Sequence, residues 1–352
     1  MLAKVISGAT VGLDSVPIEV EVDIAAQGLP AFNIVGLPDK AVEESKERVR
    51  AALKNVGAEF PARRITVNLA PADLPKEGPA YDLPIAIGIL IGSGQLSTEI
   101  SDAVFAGELS LDGNLRSTAG LLPIAMMAKE KGFKRLFLPA INAKEACVVQ
   151  KVSIFAINNI IDLFHFLSGN KRIHAAPATK IDLDGVIKYE FDMKEIRGQE
   201  TAKRALEIAA AGGHNVLLKG PPGSGKTLLA RAFPSILPRL AAEEALEVTK
   251  IYSILGLVNP ADPVIRIRPF RSPHHSASAI GLIGGGTHPK PGEISLANRG
   301  VLFLDEFPEF PRHVLESLRG PLEDGVVTVS RASASLSFPA NFTLIAAANP
   351  CP

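Results

Sequence analysis

The chain has no net charge: 37 Lys and Arg face 37 Asp and Glu over 352 residues. No overall field therefore draws it toward nucleic acid or an anionic membrane, and any polyanion binding has to be local. Cysteine is almost missing as well. Cys147 and Cys351 lie far apart, which excludes a disulfide framework and fits a reducing, cytoplasmic setting. Long apolar runs are also lacking: the longest, residues 83–92, is broken by Pro84 and Gly88 and is too short to cross a bilayer. The opening MLAKVISGATVG alternates and carries glycines, unlike the apolar stretch of a signal peptide. A soluble protein with no membrane partner is expected. What is present is 47% apolar against 21% charged residues, enough for a sizeable core in each of two domains and far from a disordered composition.

Residues 17–25, PIEVEVDIA, put Ile18, Val20, Val22 and Ile24 on one side and Glu19, Glu21 and Asp23 on the other, the period of a half-buried strand. Beyond a turn at 36–39, Val42, Val49, Ala52, Leu53 and Val56 recur at helical spacing with Asp39 as N-cap, which predicts a helix laid on a sheet. Further strands are expected at 64–69, around 104–111 and at 135–138, with helices at 82–90 and 122–131, and two last apolar elements at 152–157 and 160–167 complete the domain. Strands alternate with helices, so residues 1–168 read as an α/β domain. The small, polar stretch 169–185 reads as a linker, and 186–352 as a second domain that opens on a helix over 192–211 marked by Ala202, Ala205, Leu206 and Ala209.

A strand at 215–219 then runs into Gly220-Pro221-Pro222-Gly223-Ser224-Gly225-Lys226-Thr227, which matches G-x-x-x-x-G-K-[ST] and precedes a helix from Leu228 to Phe233. Phosphate oxygens need several converging amide N–H groups, and only a glycine-rich loop lets the backbone come that close. Lys226 suits the β- and γ-phosphates, and the Thr227 hydroxyl suits Mg²⁺. A buried strand, Val301 to Leu304, ends in Asp305-Glu306: a Walker B pattern, with Asp305 for the Mg²⁺ shell and Glu306 as general base for the attacking water. Taken alone, four apolar residues and two acids more often mean a strand leaving a core; the P-loop upstream and the turn Asn298-Arg-Gly300 just before the strand reverse that balance. A third strand, 342–348, ends in Asn349, placed either to orient the lytic water or simply to open a turn before Pro350.

The order Ile196-Arg-Gly-Gln199, Walker A, Walker B, Asn349 resembles an AAA+ ATPase, with Asn349 at the position of that superfamily's sensor 1. Within it the chain is similar to the magnesium-chelatase-like ATPases, and among those to the ComM/YifB proteins. Two stretches carry the closer match: RIRPFRSPHH at 266–275 with GGGTHPKPGEI at 284–294, and LESLRGPLEDGVVTVSR at 315–331, where 326–331 and 333–338 alternate as arms of a hairpin. The resemblance implies a P-loop parallel-sheet core with helices on both faces. It also implies ATP and Mg²⁺ as cofactors, nucleotide contacts from Gln199 and Leu228, and a hexameric ring of copies of the chain. Its implied task is branch migration on DNA, branched or single-stranded, in natural transformation. Two other readings stay open: a chelatase-type motor that remodels a metal-insertion partner, and a non-catalytic nucleotide-dependent binding module. Relatives of this kind add an arginine finger and a C-terminal lid, which are not located here; Arg319 and Arg331 are candidates for trans-acting arginines or plain surface pairs, and a chain without the finger and lid is expected to hydrolyse nucleotide poorly.

Between Pro263 and Gly292 acidic residues are absent, while Arg266, Arg268, Arg271 and Lys290 occur with His274, His275 and His288. Unopposed arginine with flexible glycine suits a surface that tracks phosphates, so these four cations are candidate DNA contacts. The alternative is a loop whose arginines pair with carboxylates elsewhere. Phe270 is the one aromatic available for stacking, and the histidine spacing matches no familiar zinc pattern.

By the same resemblance the first domain looks like the fold of the Lon protease domain, through KEGPAYDLPIA at 76–86, GELSLDGNLR at 107–116 and AGLL at 119–122. The serine and lysine positions of that peptidase dyad are Ala80 and Leu122. Alanine cannot attack a carbonyl and leucine cannot accept a proton, so a scaffold or binding module is expected in place of a peptidase.

Overall fold

A computed structural model describes residues 2–179, 185, 187–286, 289–330 and 335–350. These divide into two compact units, one of Met1–Lys180 with Gly256–Pro263 and one of Ile181–Leu255 with Val264–Pro352. No helix among the described residues is long and apolar enough to cross a membrane.

In the first unit β1 (Leu2–Val11) and β2 (Asp14–Ile24) form a long antiparallel pair, and the alternation along β2 buries Ile18, Val20 and Val22 completely. Then come β3 (Ala31–Val35) and α1 (Lys40–Asn55), whose first turn is closed by the Asp39 carboxylate accepting from Val42 N–H at 2.8 Å. The unit continues with β4 (Arg64–Ala70), α2 (Asp82–Gly92), β5 (Ala103–Phe105), the small pair β6 (Glu108–Leu109) and β7 (Leu115–Arg116), and α3 (Leu121–Glu130). It ends with β8 (Arg135–Pro139), α4 (Ala143–Ala146), β9 (Ser153–Ile157) and α5 (Ile160–Leu167). The seven-stranded sheet runs β3-β4-β2-β1-β5-β8-β9, antiparallel around β2 and parallel toward both edges. After Asp82, α2 is apolar on every side and packs on β1 and β2; Gly88 permits the close approach, since a Cβ there would lie 2.4 Å from Val22 Cγ2.

Residues 169–179 differ from the expected free linker. Ala176 N–H donates to the Ile154 carbonyl at 2.7 Å, Thr179 N–H to the Cys147 carbonyl at 2.9 Å, and Ile173 packs on the core. One apolar side chain and two backbone donors outweigh the polar composition that suggested a tether. The rest of the expected linker, apart from Gly185, lies outside the described residues.

The second unit begins with α6 (Glu200–Gly212), β10 (Val216–Lys219), α7 (Lys226–Ala232) and α8 (Ala242–Ile254). β11 (Phe270–Arg271), α9 (Ala279–Ile283), the pair β12 (Gly284–Gly285) and β13 (Lys290–Pro291), and α10 (Glu293–Leu296) make up the insertion. β14 (Val301–Leu304), α11 (Arg312–Glu316), α12 (Arg319–Asp324), the antiparallel hairpin β15 (Val326–Ser330) with β16 (Ser335–Pro339), and β17 (Thr343–Ala348) complete it. The expected hairpin is present; Arg331 and Ser333, named for its arms, lie outside the described residues. The main sheet runs β10-β17-β14-β11 with every pair parallel. All four residues of β14 are buried, as a strand covered on both faces requires.

The helix expected over 192–211 is shorter at its start. Asp192 caps a single 3-10 turn, Met193–Glu195, and Gln199 takes a left-handed φ of 58°, so α6 begins only at Glu200. Its buried face is Leu206, Ala209 and Ala210, with Ala205 turned outward.

Candidate nucleotide site

Parallel pairing brings the chemistry to one edge. Lys219 pairs with Ala348 and Leu304 with Ala346, so the loop after β10, the acidic pair after β14 and Asn349 after β17 all leave the sheet at the same end. In open parallel sheets that end is where ligands bind. The loop uses its glycines for backbone shape: Gly223 and Gly225 have φ of 79° and 86°, and a Cβ on either would meet nothing within 4 Å. The space beside both glycines is therefore open, and Ser224 Oγ between them is buried and unpartnered.

The expected residues meet there. Lys226, the first residue of α7, donates from Nζ to the carbonyls of Gly220 (2.8 Å) and Pro221 (3.0 Å) and to Asn349 Oδ1 (3.0 Å). Thr227 Oγ1 donates to Asp305 Oδ2 at 2.8 Å, and Glu306 N–H donates to Asp305 Oδ1 at 3.0 Å. Glu306 has a left-handed φ of 51°, and its carboxylate is more than half exposed. Gln199 donates from Nε2 to the Ser224 carbonyl at 3.0 Å, while Pro221, Pro222 and Leu228 lie at the surface.

Among the described residues no cluster of three or more His, Cys, Asp or Glu can hold a metal unaided. Thr227 and Asp305 present two adjacent oxygens, which fits a magnesium ion that draws its other ligands from phosphates and water. The donor set and the open glycine loop are thus compatible with Mg²⁺ and a nucleoside triphosphate.

For the insertion, carboxylate pairing describes Arg268 and Arg271. Arg271 forms a bidentate pair with Glu293 (2.6 and 2.7 Å), which holds the guanidinium above its usual pKa, and Arg268 bonds to the Pro238 and Arg299 carbonyls and to Glu244. The expectation of both as unopposed phosphate contacts is corrected accordingly. Glu293 follows immediately upon the acid-free window and Glu244 lies on α8, so neither was visible inside it. Arg266 also has an internal interaction, Lys290 is exposed, and His288 lies outside the described residues. Arg319 pairs with Glu323 at 3.0 Å one helical turn on, a surface contact, and Arg331 lies outside the described residues.

One neighbour of the site escaped sequence reasoning. His275, on the loop leaving β11, places Nδ1 3.3 Å from Glu306 Oε2. Its only signal was position, since β11 pairs in parallel with β14 and its following loop must emerge beside Glu306.

A parallel sheet with a P-loop, a Walker B acid pair and a polar strand end in this order defines an AAA+ protein. Residues 192–352 match the family model described as magnesium chelatase, subunit ChlI, and residues 20–142 the model described as subunit ChlI of Mg-chelatase. The chain is 47% identical to competence protein ComM of Haemophilus influenzae, over 100% of this chain and 69% of that protein. To uncharacterized protein YifB of Escherichia coli it is 45% identical, over 100% and 68%. To the magnesium-chelatase 38 kDa subunit of Rhodobacter capsulatus it is 28% identical, over 46% and 50%. The chain belongs to the ComM/YifB family of magnesium-chelatase-like AAA+ proteins.

Proposed function

We propose that the second unit binds ATP with Mg²⁺ and hydrolyses it. The observation that carries this reading is the convergence of Lys226, Thr227, Asp305, Glu306 and Asn349 at one edge of a parallel sheet. Lys226 neutralises charge on the β- and γ-phosphates; Gly220, Pro221, Pro222, Gly223, Ser224 and Gly225 shape the loop around them, and Gln199 and Leu228 line the nucleotide. Thr227 and Asp305 hold the metal, which when bound supplies charge stabilisation to the transferring phosphoryl group. Glu306 takes the proton of the attacking water, and Asn349 orients that water. ATP turnover by the purified chain, abolished in Lys226→Ala, tests this; absence of saturable, Mg²⁺-dependent ATP binding would falsify it.

For the motor's substrate we propose DNA, branched or single-stranded, moved through a hexameric ring in branch migration during transformation. Kinship to a competence protein supports this reading, with Lys290 the exposed cation of the insertion available to a phosphate backbone. A chelatase-type motor acting on a metal-insertion partner is the second reading, favoured by the family models over both units. Stimulation of ATP turnover by branched DNA separates the two. A cytoplasmic setting and a non-proteolytic, Lon-protease-like first unit belong to the same proposal. In support, Leu122 is fully buried in the core and Ala80 offers only its carbonyl, to Gly107 N–H at 2.8 Å.

A further inference from the structure

The second unit holds a cavity of about 480 Å³ that the hydrolytic chemistry above leaves unused. It lies beside the edge strand β11 and the last turn of α7, lined by Tyr189, Glu190, Phe191, Arg231, Phe270 and Ser272. A space of that size suits a ligand of nucleotide dimensions.

Its walls are of two kinds. Flat apolar surface comes from Phe191 and from Phe270, which stacks on the buried Phe303 with centroids 5.8 Å apart and planes at 27°. The polar groups come without protein partners. Arg231 sets its guanidinium over Phe191 at 5.3 Å and, unlike Arg268 and Arg271, has no carboxylate partner among the described residues. Stacking occupies the face of a guanidinium and leaves its N–H edge free for an anion. Glu190 is exposed and unpaired, and the hydroxyls of half-buried Tyr189 and of Ser272 make no hydrogen bond among the described residues.

The complement of such walls is a planar ring that carries one anionic group and N–H donors. A nucleoside phosphate has all three: the base stacks on ring and guanidinium faces, the phosphate meets the Arg231 edge, and an exocyclic amine donates to Glu190. A purely apolar ligand would desolvate Glu190 and Arg231 without replacing their water.

We infer that this cavity is a second nucleotide site, separate from the P-loop, which takes one nucleoside monophosphate unit on Arg231 and the rings of Tyr189, Phe191 and Phe270. That unit comes either free or as one link of a single strand. Lys226 begins α7 and Arg231 lies in its last turn, so the two sites use different ends of one helix and share no residue.

The test titrates the full chain in EDTA with a fluorescent AMP and with a labelled oligodeoxyadenylate. Saturable binding of one unit per chain is expected, retained in Lys226→Ala and weakened about ten- to hundredfold in Arg231→Gln, the worth of a hydrogen-bonded charge. Tyr189→Ala should weaken it by about fivefold or more through lost stacking. Thermal melts establish that each variant folds, and should Arg231→Gln not fold, Tyr189→Ala decides. AMP bound at least as tightly as the oligonucleotide marks a free nucleotide as occupant; a tighter oligonucleotide marks a strand. Binding lost in Lys226→Ala belongs to the P-loop and overturns the second site. So does binding that Arg231→Gln and Tyr189→Ala leave unchanged, or the failure of both probes to bind.

Discussion

The Thr227 hydroxyl donates to the Asp305 carboxylate at 2.8 Å, joining two motifs 78 residues apart. The bond holds two oxygens side by side without help from any other acid. Thr227→Val keeps the shape and removes one of them. ATP turnover in Mg²⁺ should fall about 10²- to 10³-fold, the usual loss when one preorganised electrostatic contact is deleted. Nucleotide binding measured in EDTA should be unchanged, and an equal loss in EDTA would show that Thr227 serves the fold and not the metal.

Glu306→Gln separates binding from chemistry. Turnover should drop about 10²- to 10⁴-fold, the range for losing a general base, with ATP affinity retained. Equilibrium binding and single-turnover hydrolysis check the two halves independently.

Arg271 and Lys290 should respond differently to removal. Arg271→Ala leaves Glu293 unpaired and should cost about 1–3 kcal/mol of stability. Lys290→Ala should leave stability unaltered and, if the insertion meets DNA, lower the slope of log affinity against log salt by about 1. Chemical melts and a salt titration of DNA binding distinguish them.

In the first unit, burial pushes the Asp82 carboxyl above its ordinary value, against the lowering effect of its bonds to Arg48 and Ser45. Arg48 Nε lies 2.6 Å from Asp82 Oδ2. Replacing Arg48 by Met strands a buried carboxylate and should destabilise the unit by about 3–5 kcal/mol near neutral pH. An acid whose folded pKa is raised binds its proton more tightly when folded. Its favourable contribution is complete below the unfolded value near 3.8 and is lost as pH rises through the higher folded value. Without Arg48 that folded value climbs further, so the variant should regain stability on acidification from pH 8 to 5, read by thermal melts.

Gly300 precedes β14, where a Cβ would lie 2.1 Å from the Pro269 carbonyl oxygen and 2.7 Å from its nitrogen. Backbone atoms cannot step aside as a side chain does, so Gly300→Ala should part β14 from β11 and cost about 1–3 kcal/mol. The loss should appear in the melting of the second unit, with ATP affinity falling alongside.

Much of the fold and the site was legible because it is written in short-range patterns. Alternation made β2 visible, Asp39 announced α1, and the glycines of the P-loop mark backbone angles no other residue adopts easily. The start of α6 was misread because Asp192 is as good a cap for a single 3-10 turn as for a long helix, and nothing local reveals that Gln199 interrupts the path. Residues 169–179 looked like a tether because composition does not say which carbonyls are within reach.

The chain by itself determined which groups are offered to the proposed phosphate, metal and water, since each rests on a few consecutive residues whose backbone demands are local. Only the tertiary structure decided what those groups and their neighbours are spent on. Arg268 and Arg271 look free along the chain and are claimed by Glu244 and Glu293; His275 looks like one of several loop histidines and meets Glu306. Charge pairing falls off over a few ångströms and is indifferent to sequence separation, so the assignment of each cation waits for the sheet order that brings distant carboxylates beside it.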